Sequence, residues 1–211
     1  MRFLTVLCVL GMALVTSPVL AQKNGNTDLV KSASSFVDNV AKQAIDTIDK
    51  KHAGKLTDEQ AKVAFRKILS DAFDLQTIGK FTMGRYWRVA TDAQKKEYIH
   101  LLQVKILDKY ADTILAYSGA GHKITSSAAA TDTDYNVGMT ILRKGEAPVD
   151  MGWRLRRFGN KFKVIDISVE GISMSVTHRS DFASVIERNG GKVEALLDAL
   201  RTKEGDVVKT K

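Results

Sequence analysis

The sequence predicts an α+β fold: a helical N-terminal half packed on an antiparallel sheet of about four strands, with helices closing the chain. Three observations lead to it. Apolar residues recur at three- and four-residue spacing from Thr27 to Tyr117, alternate with polar ones from Tyr135 to Val169, and return to helical spacing after Phe182. Helices gathered ahead of a run of strands, without βαβ alternation, point to an antiparallel sheet.

The first residues are expected to lie outside the fold. Met1-Arg2 is a short basic start, Phe3 to Val15 is almost wholly apolar, and Val19-Leu20-Ala21 has the small-residue pattern of a cleavage site. Together they read as a secretory signal peptide over 1–21, removed after Ala21. The apolar run is too short to be preferred as a permanent membrane helix. Residues 22–203 are then expected to form a single domain, and 204–211 a disordered tail. Cys8, the one cysteine, would leave with the signal, so neither disulfides nor thiolate metal sites stabilise what remains. The chain carries 32 Lys and Arg against 24 Asp and Glu, a net charge of +8. An exported chain meets no genome, so this basicity is read as attraction to anionic membrane surfaces or acidic partners, not nucleic acid.

After a polar linker at 22–26, Thr27 opens a long amphipathic helix bearing Leu29, Val30, Ala33, Phe36, Val37, Val40, Ala44, Ile45 and Ile48, and Gly54 stops it. Thr57 and Gln60 have capping-box spacing for a second helix with Val63, Ile68, Leu69 and Phe73 on one side. A third holds Leu75, Ile78 and Phe81 and ends at Gly84. Thr91 and Gln94 repeat the capping box, and Tyr98, Leu102, Ile106, Tyr110 and Tyr117 share one side of the helix that follows, closed by Gly119. Lys123 to Ala130 reads as a weaker edge strand. Tyr135, Val137, Met139 and Ile141 share a face of the next strand, and Val149, Met151, Trp153 and Leu155 a face of the one after. Gly159-Asn160 turns into a strand through Val169 in which Phe162 and Val164 stand out of phase with Ile165 and Ile167, a pattern expected of a central strand covered on both faces. Glu170-Gly171 breaks it, Ile172, Met174 and Val176 resume the alternation, and Thr177 or Ser180 caps a helix through Ile186. Gly190-Gly191 precedes a last helix with Val193, Leu196, Leu197 and Leu200.

Catalytic signatures are sparse: there is no P-loop, GxGxxG, HExxH, CxxC or GxSxG. His52, His100, His122 and His178 lack ligand spacing and read as surface residues, so neither metal nor cofactor is expected. Asp166, set among apolar residues, has two readings: a general base raised by burial, or the structural partner of an arginine such as Arg154 or Arg179. Met139, Met151 and Met174 are flexible side chains able to repack around a variable ligand. Tyr86, Tyr98, Tyr110 and Tyr117 join an apolar ring to a polar tip, as the mouth of a pocket requires. The same stripes would equally serve as an ordinary packed core.

A family resemblance enters on two blocks. Asp166, Glu170, Gly171, Ile172, Ser173, Arg179, Phe182, Val185 and Ile186 form a strand end and helix start that resemble the periplasmic lipid-binding proteins of the toluene-tolerance and MlaC family. Gly84-Arg85-Tyr86-Trp87-Arg88, following Phe73-Asp74-Leu75, is the second block. The segment from Ser173 to Arg201 is similar to the hopanoid-associated HpnM branch. The resemblance implies a cone related to nuclear transport factor two, with a curved sheet and helices around a lipid cavity. Its lining would include Phe73, Leu75, Ile78, Met83, Leu102, Ile106, Tyr110, Val137, Met139, Ile141, Met151, Trp153, Ile172 and Met174. Tyr86, Trp87 and Arg88 would fix the helix junction, and Arg179 would hold the last helices or meet a head-group phosphate. The implied role is to carry a phospholipid or hopanoid between an outer-membrane lipoprotein complex and an inner-membrane ABC transporter with its MCE-type partner. Two alternatives stand beside it: a cone-fold enzyme with Asp166 as base and Tyr135 or Tyr110 converging on the substrate, and an interaction subunit that holds no ligand.

Overall fold

The computed structural model describes residues 20–115, 121–143 and 145–202, with side chains described at 27–104, 121–143 and 145–202. Residues 1–19 of the expected signal and the tail from 204 lie outside these residues, as do Tyr117 and the expected stop at Gly119.

α1 (Leu20–His52) is helical already across the residues expected as a polar linker, where no proline interrupts the backbone hydrogen bonds. Its first half lays Ala33, Val37, Val40 and Ala41 on the sheet, while Ala44 and Ile48 farther along meet α2 (Asp58–Ala72) and the segment before it. The expected capping box starts α2: the Thr57 hydroxyl accepts from the Gln60 amide, and the Gln60 side chain accepts from the Thr57 amide. The buried stripe of α2 is Ala61, Phe65, Leu69 and Ala72, so Val63, expected inward, is exposed. α3 (Leu75–Met83) ends at Gly84, whose φ of 57° with ψ of −128° is open only to glycine at little cost. A 3-10 turn over Gly84–Arg88 leads to α4 (Asp92–Leu115), which opens with the second capping box, Thr91 with Gln94.

The sheet is an antiparallel meander of five strands in sequence order: β1 (Gly121–Ala129), β2 (Asp134–Leu142), β3 (Val149–Phe158), β4 (Lys161–Val169) and β5 (Ile172–Ser173). The weak edge strand of the sequence is therefore a full ladder partner of β2, irregular between Ile124 and Ser126. Tyr135, Val137, Met139 and Ile141 of β2 and Met151, Trp153 and Leu155 of β3 share the inner face.

Two expectations around β4 need correction. It lies inside the sheet, between β3 and the two residues of β5, with the chain entering α3 also bonded to it through Asp74 N–H to Val164 O at 2.9 Å, but its phase change has another cause. The phase change arises from a bulge. Arg154 pairs with Asp166 and Leu155 with Val164, which leaves Ile165 as the extra residue. Phe162 and Val164 before the bulge, and Ile167 after it, all join the inner-face cluster.

Nor does alternation resume beyond Gly171. Glu170 (φ 49°) and Gly171 (φ 79°) form a tight hairpin turn, and α5 (Met174–Arg188) begins three residues later. Ser173 is its N-cap, accepting from the Val176 amide, so neither Thr177 nor Ser180 caps it. Met174 and Val176 are consequently helical. α6 (Val193–Arg201) packs on α4, and with α3, α5 and the 3-10 turn it builds a second apolar cluster around Met83, Tyr98, Leu102, Phe182, Ile186, Leu196 and Leu197.

Candidate functional site

The inner face of the sheet is graded from one end to the other. At one end Tyr135, Leu155 and Val164 are at most 1% exposed, sealed by α1 and by aromatic packing of Phe162 against Phe36 (6.2 Å between ring centroids) and Tyr135 (5.3 Å). Toward the other end Ile124, Ile141, Met151 and Ile167 are only partly buried around the same cluster. Trp153 stands between the two, flanked across the ladder by Val137 and Ile167, with the Phe73 ring 6.4 Å away. The next row toward the open end is Met139, Met151 and Val169. Cross-strand neighbours lie close enough for direct side-chain packing, so these rows form one continuous apolar floor.

Six of the expected lining residues meet on this floor: Phe73, Val137, Met139, Ile141, Met151 and Trp153. Ile78, Met83 and Leu102 do not, because they belong to the helical cluster. Leu75 is half-buried in neither cluster, Ile172 is 63% exposed at the edge, and Met174 is half-buried on α5. The side chains of Ile106 and Tyr110 lie outside the described residues. Sequence reasoning missed Ile124, Ile167 and the α1 residues Leu29, Val30 and Phe36 as neighbours of this floor. Their helical and alternating spacing was visible; the surface they would face was not.

Of the tyrosines expected at a mouth, Tyr86 and Tyr98 are buried in the helical cluster instead, and the side chains of Tyr110 and Tyr117 lie outside the described residues. Tyr98 is fully buried with its hydroxyl 2.7 Å from Thr82 Oγ1, and burial holds its phenol well above the usual range. Tyr86 is buried as well, its hydroxyl accepting from Arg85 at 2.8 Å, and Arg85 pairs with Glu187 at 2.6 Å. The Arg179 guanidinium lies 5.0 Å from the centre of the Phe81 ring and packs where a Cβ on Gly84 would sit. Arg88 is exposed. The two family blocks thus meet each other, locking α5 onto α3 and the 3-10 turn.

Asp166 is part of the same joint. Its carboxylate accepts from Ser173 Oγ at 2.5 Å and the Ser175 amide at 3.0 Å, holding the start of α5 against β4. It makes no ion pair with Arg154, its ladder partner, or with Arg179. Arg154 turns to the buried Asp134, 3.0 Å away, which also takes a two-pronged contact from Arg156; the Arg156 hydrogen bond, then Arg154, hold the Asp134 carboxyl below its ordinary value. Asp166 lies opposite Arg154 on the outer face, whereas Tyr135 points inward, so the two do not converge on one substrate. Glu170 closes the turn by accepting from the Asp150 amide at 2.7 Å.

Of the histidines, His122 departs from the surface expectation. Its side chain is 9% exposed and its Nε2 lies 2.8 Å from Asp38, tying β1 to α1; Lys42 first, then His122, hold the Asp38 carboxyl below its ordinary value. His178 stacks on Phe182 with centroids 5.4 Å apart. Among the described residues no three His, Cys, Asp or Glu side chains converge as a metal site, and no helix is long and apolar enough to cross a membrane. A cleft of about 380 Å³ between α3 and α4, lined by Trp87, Lys95, Lys96, Ile99 and His100 among others, mixes polar and apolar groups and shares no lining residue with the sheet floor.

Known proteins resemble this chain over most of its length. The family model described as MlaC protein matches residues 38–202. The chain belongs to the MlaC family. Among curated relatives, the toluene tolerance protein ttg2D of Pseudomonas putida is 26% identical over 149 residues, covering 70% of this chain and 68% of that protein. Among solved structures, a phospholipid-binding protein from Ralstonia solanacearum in complex with a phospholipid matches with a TM-score of 0.73 at 25% identity, covering 83% of this chain and 98% of that one. The MlaC match runs from within α1 to the end of α6, so it contains the whole sheet and both joints.

Proposed function

We propose that this chain is a periplasmic lipid carrier that holds the acyl chains of a phospholipid against the inner face of its sheet. The observation that carries the reading is the half-buried apolar end of that face, Ile141, Met151 and Ile167, in a chain whose structural neighbour is a phospholipid complex. Moving an acyl chain from bilayer to water costs about 0.8 kcal/mol per methylene, so a lipid with some thirty of them faces a barrier above about 20 kcal/mol. An apolar floor offsets most of that cost. Because such a floor matches the bilayer in free energy, it gives no direction, and loading is set by partners at each membrane. An outer-membrane lipoprotein complex and an inner-membrane ABC transporter assembly fill that role in this proposal, with export directed by the cleaved segment ending at Ala21.

A phospholipid is favoured over a hopanoid for a structural reason. The segment similar to the hopanoid branch, Ser173 to Arg201, is α5 and α6, which pack in the helical cluster and not on the sheet floor. The test is extraction from vesicles. Lipid-free mature chain is incubated with phosphatidylglycerol vesicles, separated by size, and its bound lipid is measured. Stoichiometric lipid on the protein supports a carrier, and none on a folded chain overturns it.

A further inference from the structure

The apolar floor contains one hydrogen-bond donor without an acceptor. Trp153 is 7% exposed, and its indole Nε1–H is buried with no partner among the described residues. Buried polar groups are nearly always paired, because an unmade hydrogen bond carries the full cost of desolvation. The unpaired donor stands where the sealed end of the floor gives way to the partly buried end, with Val137, Ile167 and Phe73 around it. A purely structural side chain at this place could be phenylalanine, which is smaller but aromatic and strands no N–H.

We propose that Trp153 Nε1–H donates to a carbonyl oxygen of the bound lipid, which makes Trp153 a specificity-determining residue for acylated lipids. The inference rests on the lipid-carrier reading and adds to it the chemistry of the ligand. An acyl ester supplies a strong carbonyl acceptor next to its hydrocarbon chain. An ether-linked lipid of the same length lacks that carbonyl and offers only an ether oxygen shielded by its two alkyl arms, and a polycyclic hydrocarbon body offers no acceptor.

The experiment compares diester and diether phosphatidylglycerol of identical chain length, each loaded onto lipid-free mature chain, in wild type and Trp153→Phe. One neutral hydrogen bond is expected to favour the diester about fivefold in wild type, and Trp153→Phe to bring that ratio to about one. A readout free of any folding defect uses the wild-type protein alone. The chain has two tryptophans, Trp87 and Trp153, so two indole N–H signals appear by NMR. The Trp153 proton should move downfield with the diester and stay in place with the diether. Equal retention of both lipids by wild type, or a preference that survives in Trp153→Phe, overturns the assignment and leaves the carrier reading intact. Failure of wild type to hold either lipid overturns both.

Discussion

Met151→Glu places a carboxylate on the partly buried end of the sheet floor, opposite Met139 and Val169. A lipid chain crossing this position exchanges contact with roughly four methylenes for contact with a charged group. At about 0.8 kcal/mol each this removes about 3 kcal/mol, a loss of affinity of roughly a hundredfold. The fold should survive. Because Met151 is only half-buried, the new carboxylate reaches water or takes up a proton at a cost of about 1–2 kcal/mol. Met139→Glu is a poorer probe, since Met139 is 2% exposed and a carboxylate there would be buried without a partner. The assay is lipid content per protein after purification, by mass spectrometry, beside a thermal melt, with Met151→Leu as the volume-conserving control. Met151→Glu should melt cooperatively and carry little lipid, while Met151→Leu carries as much as wild type. A folded Met151→Glu with undiminished lipid would refute the placement of the ligand on this floor.

Three further outcomes follow from the joints and the cores. Tyr98→Phe should cost about 1 kcal/mol, because Thr82 keeps its hydrogen bond to the Ile78 carbonyl at 2.9 Å, whereas Thr82→Val strands the buried Tyr98 hydroxyl and should cost about 2 kcal/mol; urea titrations giving the reverse order would contradict this. Asp134→Asn should cost about 2 kcal/mol at neutral pH by loosening Arg156 and Arg154. Since the folded Asp134 carboxyl lies below its ordinary 3.8, its contribution is complete above that value and is lost as pH falls through the depressed one, so the gap between variant and wild type should close in acid; a gap independent of pH down to 2 would count against the pairing. Gly84→Ala should destabilise by about 1–3 kcal/mol, from a backbone conformation alanine rarely takes and a new Cβ 3.1 Å from Arg179 Nε, seen as a lowered melting temperature.

Local chemistry made the helical half readable. Both capping boxes, Thr57 with Gln60 and Thr91 with Gln94, close as their spacing requires, and Gly84 ends α3 as expected. Strands β2, β3 and β4 were equally plain, because alternation needs no tertiary information. Failures came where a distant residue decided the outcome. Met174 and Val176 continue the alternation of Ile172 in sequence, yet the Asp166 carboxylate captures the Ser175 amide and starts a helix there. The out-of-phase residues of β4 do mark a strand covered on both faces, by the inner cluster and by α5, but it is one bulged residue, Ile165, that shifts their phase. The candidate site was half readable for the same reason. Spacing identifies which residues share a face, and so found Met139, Met151 and Trp153 together. It does not say which helix face meets which sheet, so Ile78, Met83 and Leu102, expected to line a pocket with them, pack among helices instead. The family motifs from Asp166 to Ile186 and from Gly84 to Arg88 mark the joint between α5, β4 and α3, while Phe73, ahead of the second, reaches the sheet floor.

The most direct test is native mass spectrometry of the chain released from the periplasm under conditions that keep non-covalent ligands bound. A carrier gives a polypeptide mass that begins after Ala21 and is raised by one phospholipid, which collisional activation then releases intact. A folded chain that arrives bare from every preparation would contradict lipid carriage outright.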